Sequence, residues 1–84
     1  MTELRRIPTI GANMEEQLIR LGYSTLDSLI GQDPEEMYRR DTVLHGGSLD
    51  RCVLYVYRLA VYYAENRDHL DPDLCRWWAW KDKH

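Results

Sequence analysis

Phenylalanine is absent from this 84-residue chain, and cysteine, proline and glycine are scarce. The two cysteines, Cys52 and Cys75, are too few for a disulfide framework. Cys52 falls in an apolar helical run and is expected as a buried free thiol of a reducing compartment. No apolar run approaches the roughly 20 residues that span a bilayer. The first residues, MTELRRIPTIG, contain no apolar signal region, so a cytoplasmic protein with no membrane partner is expected. A positive excess is also missing: 11 Lys and Arg face 14 Asp and Glu, for a net charge of −3. That balance argues against a strong, general duplex binder, whose affinity comes from neutralised phosphates, and leaves a local basic face open. His45, His69, His84 and the two cysteines have neither CxxC nor HxxxH spacing, so neither a metal nor a cofactor is expected. Cys52 as a nucleophile would need a base and an oxyanion site, and the sequence offers only His45 across a turn. No enzyme and no small-molecule substrate are expected.

What is present reads as one all-α domain over residues 1–84, of about five to six helices. A domain this short buries about 60–65% of the surface of its unfolded chain, so its core must be dense or a partner must help. Thr2 caps a short helix at 2–6, which Pro8 ends by restricting Ile7. A second helix starts near Ala12, with Met14, Leu18 and Leu21 on one face and Gly22 as its stop. A third occupies 24–30, capped by Ser24 or Thr25. Asp33-Pro34-Glu35-Glu36 is a strong start for a fourth over 34–44: a cap, a first-turn proline, and two acids facing the positive helix end. His45-Gly46-Gly47 breaks it.

Ser48 is expected to cap the longest helix, about 49–66, which is apolar on nearly every side and therefore central. Its expected core residues are Leu49, Cys52, Val53, Val56, Leu59, Ala60 and either Val61 or Tyr63. Asp71-Pro72 opens a Trp-rich C-terminal segment over 72–82 that contains Trp77, Trp78 and Trp80. These rings either cap the helical core or present a patch to a protein partner or a second copy, because six Tyr and three Trp suit a core and a wet interface alike.

The segment Ile7–Leu18, IPTIGANMEEQL, carries the most information. It resembles the helix-hairpin-helix motif, in which an apolar residue and proline lead into a Gly-apolar-Gly turn and a helix. Ile7, Pro8, Ile10 and Gly11 match, Thr9 stands for the first motif glycine, and Asn13 stands where many members have lysine. Such a turn leaves backbone N–H groups exposed at a helix start, which suits a phosphate and reads no base. The outline recurs at 45–49, where Gly46, Gly47 and Ser48 form a second candidate hairpin. The fold expected from the motif is one or two helix-hairpin-helix units in a SAM-like bundle.

Beyond the motif, IPTIG at 7–11, LGYSTLDSL at 21–29, DPEEMY at 33–38, DRCVLYVYRLAVYYAE at 50–65 and WWAWKD at 77–82 resemble the bacterial pathogenicity-locus family, also labelled mitomycin-resistance proteins. The resemblance implies a helix-hairpin-helix fold and no molecular function. The expected task is weak, sequence-independent contact with DNA or RNA backbone through Ile10, Gly11, Ala12 and Asn13 at the first hairpin (7–13) and Gly46, Gly47 and Ser48 at the second. Arg5, Arg6, Arg20 and Arg51 would be steering cations. The alternative is a protein-interaction or homodimerisation module using the Tyr/Trp surface, with the hairpins purely structural. Glu15 and Glu16 either repel a phosphate or serve the positive end of their own helix.

Overall fold

The computed structural model describes residues 2–47 and 49–81. Among the described residues three α-helices form: α1 (Ala12–Arg20), α2 (Pro34–Leu44) and α3 (Arg51–Glu65). Single 3-10 turns lie at Glu3–Arg6, Asp27–Leu29, Pro72–Cys75 and Trp77–Trp80. The chain is all-α, with no strand among the described residues, and none of its helices is long and apolar enough to cross a membrane.

The expected count of five to six helices is therefore too high. The segments at 2–6, 24–30 and beyond Pro72 close single turns of three or four residues, too short to repay helix nucleation alone. At 24–30 there is a local competitor as well. The Ser28 hydroxyl donates to the Thr25 carbonyl, and the Thr25 hydroxyl accepts from the Ser28 amide, which replaces helical pairing with a side-chain turn.

Helix boundaries follow capping chemistry. The Asp33 carboxylate accepts from Glu35 N–H at 3.0 Å, with Pro34 in the first turn. α2 ends in a Schellman cap. The Gly46 amide donates to the Val43 carbonyl at 3.2 Å and the Gly47 amide to the Thr42 carbonyl at 2.8 Å, with Gly46 at φ 80. α1 stops the same way at Gly22, where Tyr23 N–H reaches back to the Leu18 carbonyl. α3 starts two residues later than expected, capped by Asp50, whose carboxylate accepts from Cys52 N–H at 2.9 Å. The cap expected at Ser48 lies outside the described residues.

The core joins Leu4, Ile7 and Ile10 with Leu18 of α1 and its cap Leu21, with Leu26, Leu29 and Met37, and with Val56, Tyr57, Leu59, Ala60, Val61 and Ala64 of α3. α3 packs on α2, on the Asp27–Leu29 turn and on both C-terminal turns. Each such buried Leu or Ile contributes about 1.5–3 kcal/mol. The buried face of α3 is Leu54, Val56, Tyr57, Leu59, Ala60, Val61 and Ala64. Cys52, expected in the core, is exposed, and Leu49 and Val53 are only half-buried. A helix apolar on every side holds no phase in its sequence, so its neighbours set the buried face.

One polar pair joins α2 to α3 inside this core. The fully buried Tyr57 hydroxyl donates to Oδ2 of the fully buried Asp41. Burial, then the hydrogen bond and charge of Asp41, push the Tyr57 phenol far above its ordinary range. Asp41 Oδ1 has no aligned donor among the described residues, although His45 Nδ1 lies 3.0 Å away.

Candidate nucleic-acid interface

The first hairpin is built on three buried anchors, Leu4, Ile7 and Ile10. Thr2 caps the Glu3–Arg6 turn by accepting from Leu4 N–H at 3.2 Å. The chain then reverses over Ile7-Pro8-Thr9-Ile10, closed by Ile10 N–H donating to the Ile7 carbonyl at 3.2 Å. Proline at the second position and a left-handed third residue are the marks of a type II turn. That third residue is Thr9, at φ 70, the one non-glycine residue with positive φ among those described. A β-branched residue there costs about 1–2 kcal/mol relative to ordinary backbone.

Gly11 then caps α1 with extended backbone and no side-chain hydrogen bond. Gly11, Ala12 and Asn13 are exposed. Their N–H groups have no acceptor among the described residues, and they point from the positive end of a helix of nine residues. Ile10 differs from the expectation: its amide is engaged in the turn and its side chain is core.

Glu15 sits in the first turn of α1 and faces away from solvent. Its carboxylate accepts from Thr2 N–H at 2.6 Å, the Thr2 hydroxyl at 2.8 Å and Arg5 Nε at 3.2 Å. The Thr2 amide, above all, with help from the Thr2 hydroxyl and Arg5, holds its pKa at about 2 against the opposing effect of desolvation. Glu15 is therefore a strap that ties the N-terminal turn across α1. The sequence shows no sign of this, because Thr2 and Glu15 are 13 positions apart with no shared motif.

The expected cations divide. Arg5 is committed to Glu15. Arg6 is exposed and has no ion pair among the described residues. Arg20 pairs with Glu16 at 2.8 Å, one turn along α1. Arg51 opens α3 with its guanidinium 5.8 Å from the Tyr38 ring centre.

The second hairpin does not form as a donor site. The Gly46 and Gly47 amides are engaged in the cap of α2, Asp50 places a carboxylate at the start of α3, and Ser48 lies outside the described residues. Arg5 and Arg6 precede the first turn and Gly11, Ala12 and Asn13 follow it, with Arg5 tied to Glu15 of α1, whereas Gly46 and Gly47 close α2 and Arg51 opens α3. His45 does reach the α1 face, where it lines a depression of about 200 Å³ with Asn13, Glu16, Gln17 and Arg20.

At the C-terminus, Trp77 and Trp80 pack against the core, and Trp80 lies 5.3 Å from Tyr62, centre to centre. Arg58 fastens this segment by donating to the Trp80 carbonyl at 2.7 Å and to Glu35 at 2.7 Å. Trp78 remains 51% exposed, with Arg76 over its ring. No group of three His, Cys, Asp or Glu among the described residues is placed to hold a metal ion.

Compared with known families, the chain matches the model described as Cdd1, Pathogenicity locus, over residues 1–84. It belongs to the pathogenicity-locus family. A search of curated proteins and a search of solved structures find no match. The description of the pathogenicity-locus family names a locus rather than a molecular task.

Proposed function

We propose that this chain is a non-enzymatic binding module of the cytoplasm that touches DNA or RNA phosphate through the 7–13 turn, in the manner of a helix-hairpin-helix motif. The observation that carries the reading is the set of unengaged N–H donors at Gly11, Ala12 and Asn13, at the mouth of a helix whose cap has no side chain. Three converging donors and a helix dipole suit a phosphate oxygen. Gly11 allows close approach, since nothing lies within 4 Å of the place a Cβ would take. Glu15 is turned onto Thr2 and Arg5, which withdraws its carboxylate from the approach, and the exposed Glu16 beside Asn13 is paired with Arg20. Arg6 is the steering cation.

One donor cluster on a chain of net charge −3 gives weak contact. For one or two phosphates the logarithmic salt slope is about −1 to −2. The test is a titration of isotopically labelled protein with a short duplex at low salt. The reading expects the Gly11, Ala12 and Asn13 amides to shift, equally for unrelated sequences, and the shifts to fade with added salt. Unmoved amides at these positions would remove it.

A second reading, contact with a protein or a second copy, is favoured by one observation: Trp78 is half exposed beside Arg76 in an otherwise packed segment. Trp78→Ala should abolish such an association and leave the hairpin shifts intact.

A further inference from the structure

α2 buries Met37 and Asp41 and turns Glu36, Arg39, Arg40, Val43 and Leu44 outward. Those positions recur at helical spacing and form one continuous stripe. With Arg20 at the end of α1 they line a groove of about 480 Å³. Val43 and Leu44 are 72% and 59% exposed, the two most exposed large apolar side chains described. A single exposed leucine calls for no explanation, whereas an adjacent apolar pair inside an arginine-rimmed groove does.

The rim is charged against the trend of the molecule. Three arginines and one glutamate line it, in a chain that carries more acids than bases. Arg20 and Arg39 have exposed partners in Glu16 and Glu36, and exposed pairs of this kind exchange readily. Arg40 differs. It donates through Nη1 to the Tyr23 hydroxyl at 3.1 Å and through Nη2 to the Leu21 carbonyl at 2.6 Å, and lies over the Tyr23 ring. It has no carboxylate partner among the described residues. Its charge is therefore fixed in place by neutral groups, with further donors left of the five a guanidinium carries.

We propose that this groove docks an acidic segment of another protein, with apolar side chains on Val43 and Leu44 and carboxylates on Arg40 and Arg39. A pre-positioned guanidinium lowers the ordering cost of such a contact, and charge of opposite sign on the segment sets its orientation. Nucleic acid fits poorly, because the exposed Val43 and Leu44 offer a phosphate nothing.

The experiment uses the full chain, labelled for amide spectroscopy, and a short synthetic peptide alternating leucine pairs with glutamate pairs. The expected result is shifts at Arg39, Arg40, Val43 and Leu44, with Gly11, Ala12 and Asn13 unmoved. Arg40→Ala should weaken binding about tenfold, the loss of a charge-assisted contact. Because Arg40 also holds the end of α1, Val43→Ser, at an exposed position, is the second variant and should weaken binding too. The proposal is overturned by the absence of shifts on α2 at millimolar peptide, or by equal binding of versions with lysine for glutamate or serine for leucine. It is also overturned if the same amides shift on concentrating the protein alone, since a second copy would then fill the groove. The hairpin amides are scored separately, so the two sites succeed or fail independently.

Discussion

The turn into α1 and the turn out of α2 look alike in sequence and differ in where their amides go. Both set small residues between apolar segments. In the first, left-handed geometry falls on Thr9, before the helix, and the donors at Gly11 to Asn13 are left open. In the second it falls on Gly46 and Gly47, after a helix, and their donors satisfy the carbonyls of Val43 and Thr42. A glycine turn exposes donors only where a helix begins; where a helix ends, the same amides are needed by the orphan carbonyls.

Four substitutions and one change of pH probe this contrast. Leu59→Ala has the largest effect: the side chain is fully buried in α3, which packs on α2, and shares one core cluster with Leu4, Ile7 and Ile10 of the first turn. It should cost about 2–5 kcal/mol in a denaturant melt and release both turns in one transition. Gly46→Val is next, at about 1–2 kcal/mol, because a β-branched residue is forced to φ 80. Gly11→Ala, in extended backbone with open space, should stay under about 1 kcal/mol. Thr9→Gly should have the opposite sign and stabilise by up to about 1 kcal/mol as the strained position is relieved, the gain being trimmed by the freer unfolded chain. The last change is acid. Glu15 has a folded pKa of about 2 against an ordinary 4.5, so its contribution is complete above about 4.5 and is lost as pH falls towards 2. The bonded Ile7 and Ile10 amides should lose protection over that window before those of the α2 cap, and Glu15→Gln should abolish this dependence.

Much of the fold was legible because it rests on local chemistry. Asp33-Pro34 marks the start of α2 to the residue, and Gly22 and Gly46 mark two helix ends. Thr2 caps its turn as expected. The short segments misled because capping residues alone cannot sustain a helix when only three or four residues follow. In α3 the uniform apolar character conceals which side is buried: Cys52, expected inside, is exposed, and the fully buried Tyr57 has no mark in the pattern. Asp41 is polar and fully buried, and a pattern based on apolar spacing cannot find it. At the candidate site the open amides followed from the IPTIG turn itself. The Glu15 strap and the engaged Gly46 and Gly47 amides depend on partners that only the folded chain brings together.

The contrast between the two turns is tested most directly by hydrogen exchange of individual amides in the free protein. Ala12 and Asn13 should exchange at nearly the rate of an unstructured chain, while Gly46 and Gly47 are slowed by their bonds to Val43 and Thr42. Slow exchange at Ala12 and Asn13, or unprotected exchange at Gly47, would contradict the account.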